Sequence, residues 1–499
     1  MEQKRAKFVL KEGIIYKIYS YFDVYDLVRF GRISKKWRNF LYEIPMPIFE
    51  NLNLDLTQGL SPYNRKRMKK FLLDQNPEMK EIINRYDDNN EAIEDEFELG
   101  PKWRKVQLHL LSQQIYEQVH FCAEIMTKIQ VIKSIKINFN NDDLCDDENN
   151  FTTTLKCVKY FLTSISKFCK TVERFEVIFL RSNRIERNEQ YAEEIKNFLQ
   201  AISDQETLKE SMKVVKFDSY GTEIMVGLIS GFKNLEELKI VDCIYLEGDY
   251  FPIIKATCLQ KLNLSGSHQI ESSHIQMLVE RNSQTLRSLK LDGENIDGEE
   301  LTQIIAELKT LEELCIYYGN SASSDLLKVI AKHSQTLKKL VIRKNENFLE
   351  QDLVFFFGHK FPKLHTLILD ECNNLDTEGV KKIATNCLAL RYYSSEWCLK
   401  IDPCAIENLI LNCESLENLS LSGMKTLDDT VFSKLFAHVK DGKGIVPLKL
   451  KEINFKMCNY LSKPVLEQMK EYYPNCTVID YYGEPVECDD NEASNNSSF

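Results

Sequence analysis

Residues 235–240 read LEELKI, and the form L-x-x-L-x-L returns as LQKLNL at 259–264, LRSLKL at 286–291, LEELCI at 311–316, LKKLVI at 337–342, LHTLIL at 364–369 and LENLSL at 416–421. The gaps between first leucines are 24, 27, 25, 26, 27 and 52 residues. The last is twice 26 and predicts a degenerate copy at Leu390, where LRYYSS stands. The register runs on to LKEINF from Leu450, after a connection holding the turn signal KDGKG at 440–444, and to CTVIDY from Cys476. Upstream, weaker copies begin at Ile132, Val172 and Met212, spaced by 40 residues, with the extra length assigned to the acidic 141–150 and the polar 181–191. Thirteen copies result.

Alternating apolar residues, as in Leu238 and Ile240 or Leu289 and Leu291, put one face of a short strand inward. Between strands, segments such as SSHIQMLVERNS and TEGVKKIATNC carry apolar residues three and four apart, the spacing of an amphipathic helix. Strand, returning helix and strand in one direction make a parallel sheet. No single unit of this length buries both its strand and its helix, so stability has to come from stacking.

Eight positions after the first leucine stand Cys243, Cys372, Cys398 and Cys458, with Asn345 in the same slot of another copy. Three positions before it stand Cys169, Cys387 and Cys413. The pattern resembles the cysteine-containing leucine-rich repeats, whose consensus is L-x-x-L-x-L-x-x-N/C-x-L. That resemblance implies an α/β fold, a right-handed leucine-rich-repeat solenoid shaped as a horseshoe with its parallel sheet on the concave face, here over 111–482. In this setting the thiols are structural, since buried apolar surroundings keep a thiol protonated and inert.

Residues 10–41, LKEGIIYKIYSYFDVYDLVRFGRISKKWRNFL, follow a different rule. Ile14, Ile15, Ile18, Tyr21 and Phe22 recur at helical spacing, and Leu27, Phe30, Ile33, Trp37 and Leu41 begin a second stripe beyond a turn at Asp23 and Asp26. So short a helical hairpin cannot bury these side chains alone and should dock them on a partner. The stretch resembles an F-box, and F-box modules followed by leucine-rich repeats form a populated family. The resemblance implies that Leu10, Ile14, Ile15, Ile18, Tyr21, Phe22, Leu27, Phe30, Ile33 and Trp37 contact a Skp-type adaptor and, through it, a cullin-RING ubiquitin ligase. Leu10-Lys11 departs from the family's Leu-Pro opening. The bland reading is a helical cap on the solenoid.

The expected organisation is therefore an α-helical F-box-like module at 7–46, a linker with short helices and an acidic loop at 47–110, the repeats at 111–482 and an acidic disordered tail at 483–499. Net charge is −11, but 87–98, 141–150 and 484–499 hold 17 acids and no lysine or arginine, which leaves the remainder at +6. That balance gives no nucleic-acid footprint, and the basic run NRKRMKK at 64–70 reads as the solvated face of a helix. No run of 18 apolar residues and no signal-peptide pattern appears, so the expectation is an intracellular protein, cytoplasmic or nuclear, without membrane contact.

The sequence contains no GxxxxGK[ST], GxGxxG, HExxH or GxSxG motif, so no catalytic residue is nominated and no cofactor or metal is expected. His268 and His274, six apart, do not share a helix face and read as solvated polar residues. Function is placed instead on strand positions two, four, six and seven after each first leucine: Tyr317 and Tyr318, Arg343 and Lys344, Asp370 and Glu371, and Tyr392, Glu396 and Trp397. Aromatics and arginine concentrate in protein-binding hot spots. Ser395, polar where the repeat wants an apolar residue, is expected to loosen the copy that carries Trp397. Together these implications describe a non-catalytic substrate-recognition subunit of a ubiquitin ligase; the alternative is a repeat scaffold coupled to no ligase.

Overall fold

The structure is a computed structural model that describes residues 51–55, 131–139, 148–180, 185–294, 296–441 and 448–486. The module at 7–46 with all its adaptor contacts, most of 47–110, the turn signal beyond residue 441 and the tail from 487 lie outside the described residues. The chain divides into two compact units, Met1–Tyr220 and Gly221–Phe499. No helix among the described residues is long and apolar enough to cross a membrane.

In the first unit, β1 (Asn51–Asp55), β2 (Val131–Asn138), β3 (Thr171–Ile178) and β4 (Val214–Asp218) pair in parallel, each with the next. The pairs Ile135 and Ile137, Phe175 and Val177, and Val215 and Phe217 are buried, which is the repeat register expected from Ile132, Val172 and Met212. β1 stands in the stretch assigned to a linker. The 40-residue spacing is chiefly helix, not loop: Glu148–Phe168 runs for 21 residues and Ile185–Ser203 for 19. The second of these buries Tyr191, Ala192, Ile195, Phe198, Leu199 and Ile202, one stripe of an amphipathic helix. Tyr191 stacks on Phe139 with ring centroids 3.9 Å apart.

In the second unit ten strands follow in chain order: β5 (Glu237–Val241), β6 (Lys261–Asn263), β7 (Ser288–Asp292), β8 (Glu313–Tyr317), β9 (Lys339–Ile342), β10 (Thr366–Ile368), β11 (Tyr392–Ser394), β12 (Asn418–Ser420), β13 (Glu452–Asn454) and β14 (Thr477–Ile479). Each pairs in parallel with its successor. The register sets Leu238, Leu262, Leu289, Leu314, Leu340, Leu367, Tyr393, Leu419, Ile453 and Val478 opposite one another, so the second apolar position of every repeat forms one buried column. Full burial of each such side chain is worth about 1.5–3 kcal/mol.

The last repeat departs from expectation. Counting from Cys476 puts Ile479 and Tyr481 inside, yet Val478 is buried and Tyr481 is 39% exposed. The copy is one residue short, and with a side-chain period of two a one-residue slip exchanges the faces. Gly483–Val486, assigned to the tail, turns back along β14, where the Val486 N–H donates to the Val478 carbonyl at 2.8 Å.

In three copies a cysteine in the slot eight positions after the first leucine ties the repeat to the one before it. The Cys398 thiol donates to Leu369 O at 3.1 Å, Cys458 to Leu421 O at 3.1 Å and Cys372 to Ile342 O at 3.4 Å. Asn345 does more: Nδ2 donates to Gly319 O and to Ala322 O at 3.0 Å, and Oδ1 accepts from the N–H groups of Asn347 at 3.1 Å and Phe348 at 2.9 Å. Ser267 fills the slot in another copy, donating to Ile240 O at 3.0 Å and accepting the Cys243 N–H at 3.2 Å. Burial pushes Cys398 up to about 12 and Cys458 to about 11, away from the thiolate a nucleophile needs.

Candidate protein-binding face

Side chains at positions two, four and six of each repeat lie on the strand face opposite the leucine column. Position four is apolar in three successive copies, and there Cys315, Val341 and Ile368 form a buried stripe across β8, β9 and β10 against which Tyr317 and Tyr392 pack. The sequence reading missed this stripe. Its signal was present, because neighbouring copies carry Lys239, Asn263, Lys290, Ser394, Ser420 and Asn454 at the same position. Burial is the first cause that raises the hydroxyl pKa of both Tyr317 and Tyr392.

Arg343 links the stripe to a polar chain. Its Nε lies 3.0 Å from Asp370 Oδ2, and its guanidinium stands 5.9 Å from the Tyr317 ring centroid. Asp370 Oδ1 accepts from the Ser394 hydroxyl and, at 3.0 Å, from the Glu396 N–H. Glu396 in turn accepts from Ser420, whose hydroxyl accepts from Asn454 Nδ2 at 3.3 Å. Asp370 was expected to be exposed and is 6% exposed: Arg343, Ser394 and the Glu396 backbone use it up, so it orients the arginine and offers no free carboxylate. Arg343, Glu396, Tyr317 and Tyr392 are half-buried.

Position seven has a property that alternation alone does not reveal. Tyr318, Lys344, Glu371 and Trp397 on four successive repeats have φ between 54° and 59°, as Ser219, Asp242 and Met457 do near this value, while Gly266 and Gly423 hold the same corner elsewhere. The left-handed turn bends the chain off the strand at each of these residues. The N–H groups of Lys344, Glu371 and Trp397 still reach the next repeat, bonding Asp370 O, Glu396 O and Ser422 O at 2.8–3.0 Å. A non-glycine residue in this region costs about 1–2 kcal/mol. Glycine, found at this corner in other copies, is here replaced by two aromatics and two charges. Tyr318 and Trp397 remain 41% and 39% exposed, and Lys344 Nζ sits 4.5 Å from the Tyr318 ring centroid.

Ser395, polar where the repeat wants an apolar residue, is accommodated inside. It is fully buried, with its hydroxyl 3.8 Å from Met424 Sδ, and the adjacent Tyr393 is fully buried too. A large residue at the second apolar position and a small one at the third conserve volume across the pair.

No family model matches this chain. Among solved structures, it is similar to the crystal structure of the Rad7 and Elc1 complex in yeast, with a TM-score of 0.45 and 12% identity over 84% of this chain and 96% of that one.

Proposed function

We propose that the chain is a protein-binding receptor of the F-box and leucine-rich-repeat type, which holds a target on its strand face while its N-terminal helices dock on a Skp-type adaptor of a cullin-RING ubiquitin ligase. It is a non-catalytic subunit in this reading. Its contribution is proximity: a target lysine held near a charged conjugating enzyme reacts as though in one molecule.

The observation that carries the receptor half is the row Tyr318, Lys344, Glu371 and Trp397, two exposed aromatics and two half-buried charges at backbone corners where glycine would be less strained. Beside them a preoriented Arg343 and two half-buried tyrosines offer the chemistry of a hot spot. The adaptor half rests on the helical pattern of residues 10–41 and its resemblance to an F-box.

The test is co-purification of the full-length protein with a Skp-type adaptor, beside the double variant Ile18→Asp, Trp37→Ala. Binding by the wild type and its loss in a variant of unchanged melting temperature supports the ligase reading. Absence of binding by the wild type leaves the alternative, a repeat scaffold coupled to no ligase.

A further inference from the structure

His268 and His274, too far apart for one helix face, serve different ends in the fold. His274 Nδ1 accepts the Glu271 N–H at 3.1 Å and helps cap its helix. His268 stands in the turn after β6 and meets the end of the next repeat. Its Nδ1 lies 3.0 Å from Asp292 Oδ2 and 3.3 Å from Glu294 Oε2, and one donor atom from each residue falls within 4.8 Å of the other two.

Three features make this trio more than a surface ion pair. First, the spacing suits coordination: donors bound at about 2.0–2.2 Å to one ion stand roughly 3.0–3.5 Å apart on adjacent vertices. Second, the frame is fixed. Asp292 ends β7 paired with Tyr317, its Oδ1 accepts the Glu294 N–H at 3.2 Å, and Ser267, next to His268, is bonded on both sides to the preceding repeat. Third, the charge is unbalanced. The Asp292 side chain is 2% exposed and faces a second carboxylate, and among the described ion pairs neither acid meets a lysine or arginine. An imidazole is a cation only when protonated, and a desolvated carboxylate is costly without a positive partner.

We propose that His268, Asp292 and Glu294 bind a divalent first-row transition ion of the zinc class, joining the corners of two adjacent repeats beside Tyr318. One imidazole and two carboxylates form a donor set for zinc, manganese or ferrous iron rather than for calcium or magnesium. Three protein ligands leave further coordination to water. The Tyr318 ring, 5.9 Å from the His268 ring, adjoins the site and connects it to the row of left-handed corners.

The experiment is calorimetric titration of chelator-treated, full-length protein with zinc chloride, and in parallel with cobalt chloride followed by visible absorption. One equivalent is expected to bind, with affinity falling at least tenfold in both His268→Gln and Glu294→Gln. Glu294 is exposed, so its variant should keep the metal-free melting temperature and separates ligand loss from unfolding. The proposal is overturned by equal affinity in both variants, by thiolate absorption in the cobalt complex, which would point to the exposed Cys404, or by no uptake at millimolar metal, which would leave His268 a simple ion pair.

Discussion

Gly423 shows how a single position carries both backbone and side-chain constraints. Its φ is +72°, and a Cβ there would overlap the Trp397 ring. Gly423→Ala should cost about 1–3 kcal/mol, from left-handed strain and displacement of the indole. Chemical denaturation read alongside tryptophan emission checks this; an unchanged midpoint and spectrum would contradict the packing. Asn345 and Cys372 occupy equivalent slots with unequal work. Removing Asn345 takes away four bonds to the backbone, two at buried carbonyls and two at N–H groups, and leaves Gly319 O only the Ala322 N–H, whereas Cys372 has one thiol bond to lose. Asn345→Ala is therefore expected to destabilise by roughly 2–4 kcal/mol and to exceed Cys372→Ala in the same denaturation assay.

At the scale of elements, neighbouring helices are fastened as strands are, and one fastening is a buried charge. Glu407, 1% exposed on helix Pro403–Asn412, accepts the N–H groups of Lys434 and, at 3.1 Å, of Leu435, at the start of helix Ser433–Lys440. The carboxylate of one repeat thus caps the helix of the next, where the orphan N–H groups and the helix dipole favour it. Burial still raises its pKa, the desolvation outweighing the bonds it accepts. Glu407→Ala should lose about 1–3 kcal/mol by orphaning those donors, while Glu407→Gln, which keeps an acceptor and sheds the buried charge, should lose less. Equal losses in thermal melts of the two variants would remove the capping argument. The helix stripes and their alternation with strands were legible in the sequence, but this cap joins residues 27 and 28 apart and leaves no local pattern.

For the whole molecule, nine of the eleven cysteines whose side chains are described are buried, Cys258 is intermediate and Cys404 is exposed. Burial pushes Cys169, Cys398 and Cys413 up to about 12 and Cys458 and Cys476 to about 11. In the unfolded chain such thiols ionise near pH 8.5. Unfolding then releases protons above that pH, so stability is fully present below about pH 8 and declines as pH rises toward the folded values. Melting temperatures from pH 7 to 10.5 should stay level and then fall, and native alkylation at pH 7.5 should label Cys404 first among the described thiols. A melting temperature that is flat across the range would show that these groups do not titrate on unfolding.

The sequence by itself determined the repeat, its period and, in every copy but the last, which column residues turn inward, because strand alternation and stacking are written locally. The cysteine column was equally legible, down to its conversion to Asn345. Tertiary structure alone decided which outward residues are free. Asp370 looked exposed by alternation and is enclosed by Arg343, Ser394 and Glu396, and His268 looked solitary until Asp292 and Glu294 came alongside. The one-residue slip at Val478 and the left-handed corners at Tyr318, Lys344, Glu371 and Trp397 were likewise settled by pairing with the adjacent strand. Each depends on residues about one repeat apart in sequence and a few ångströms apart in space, a proximity that exists only once the parallel strands have stacked.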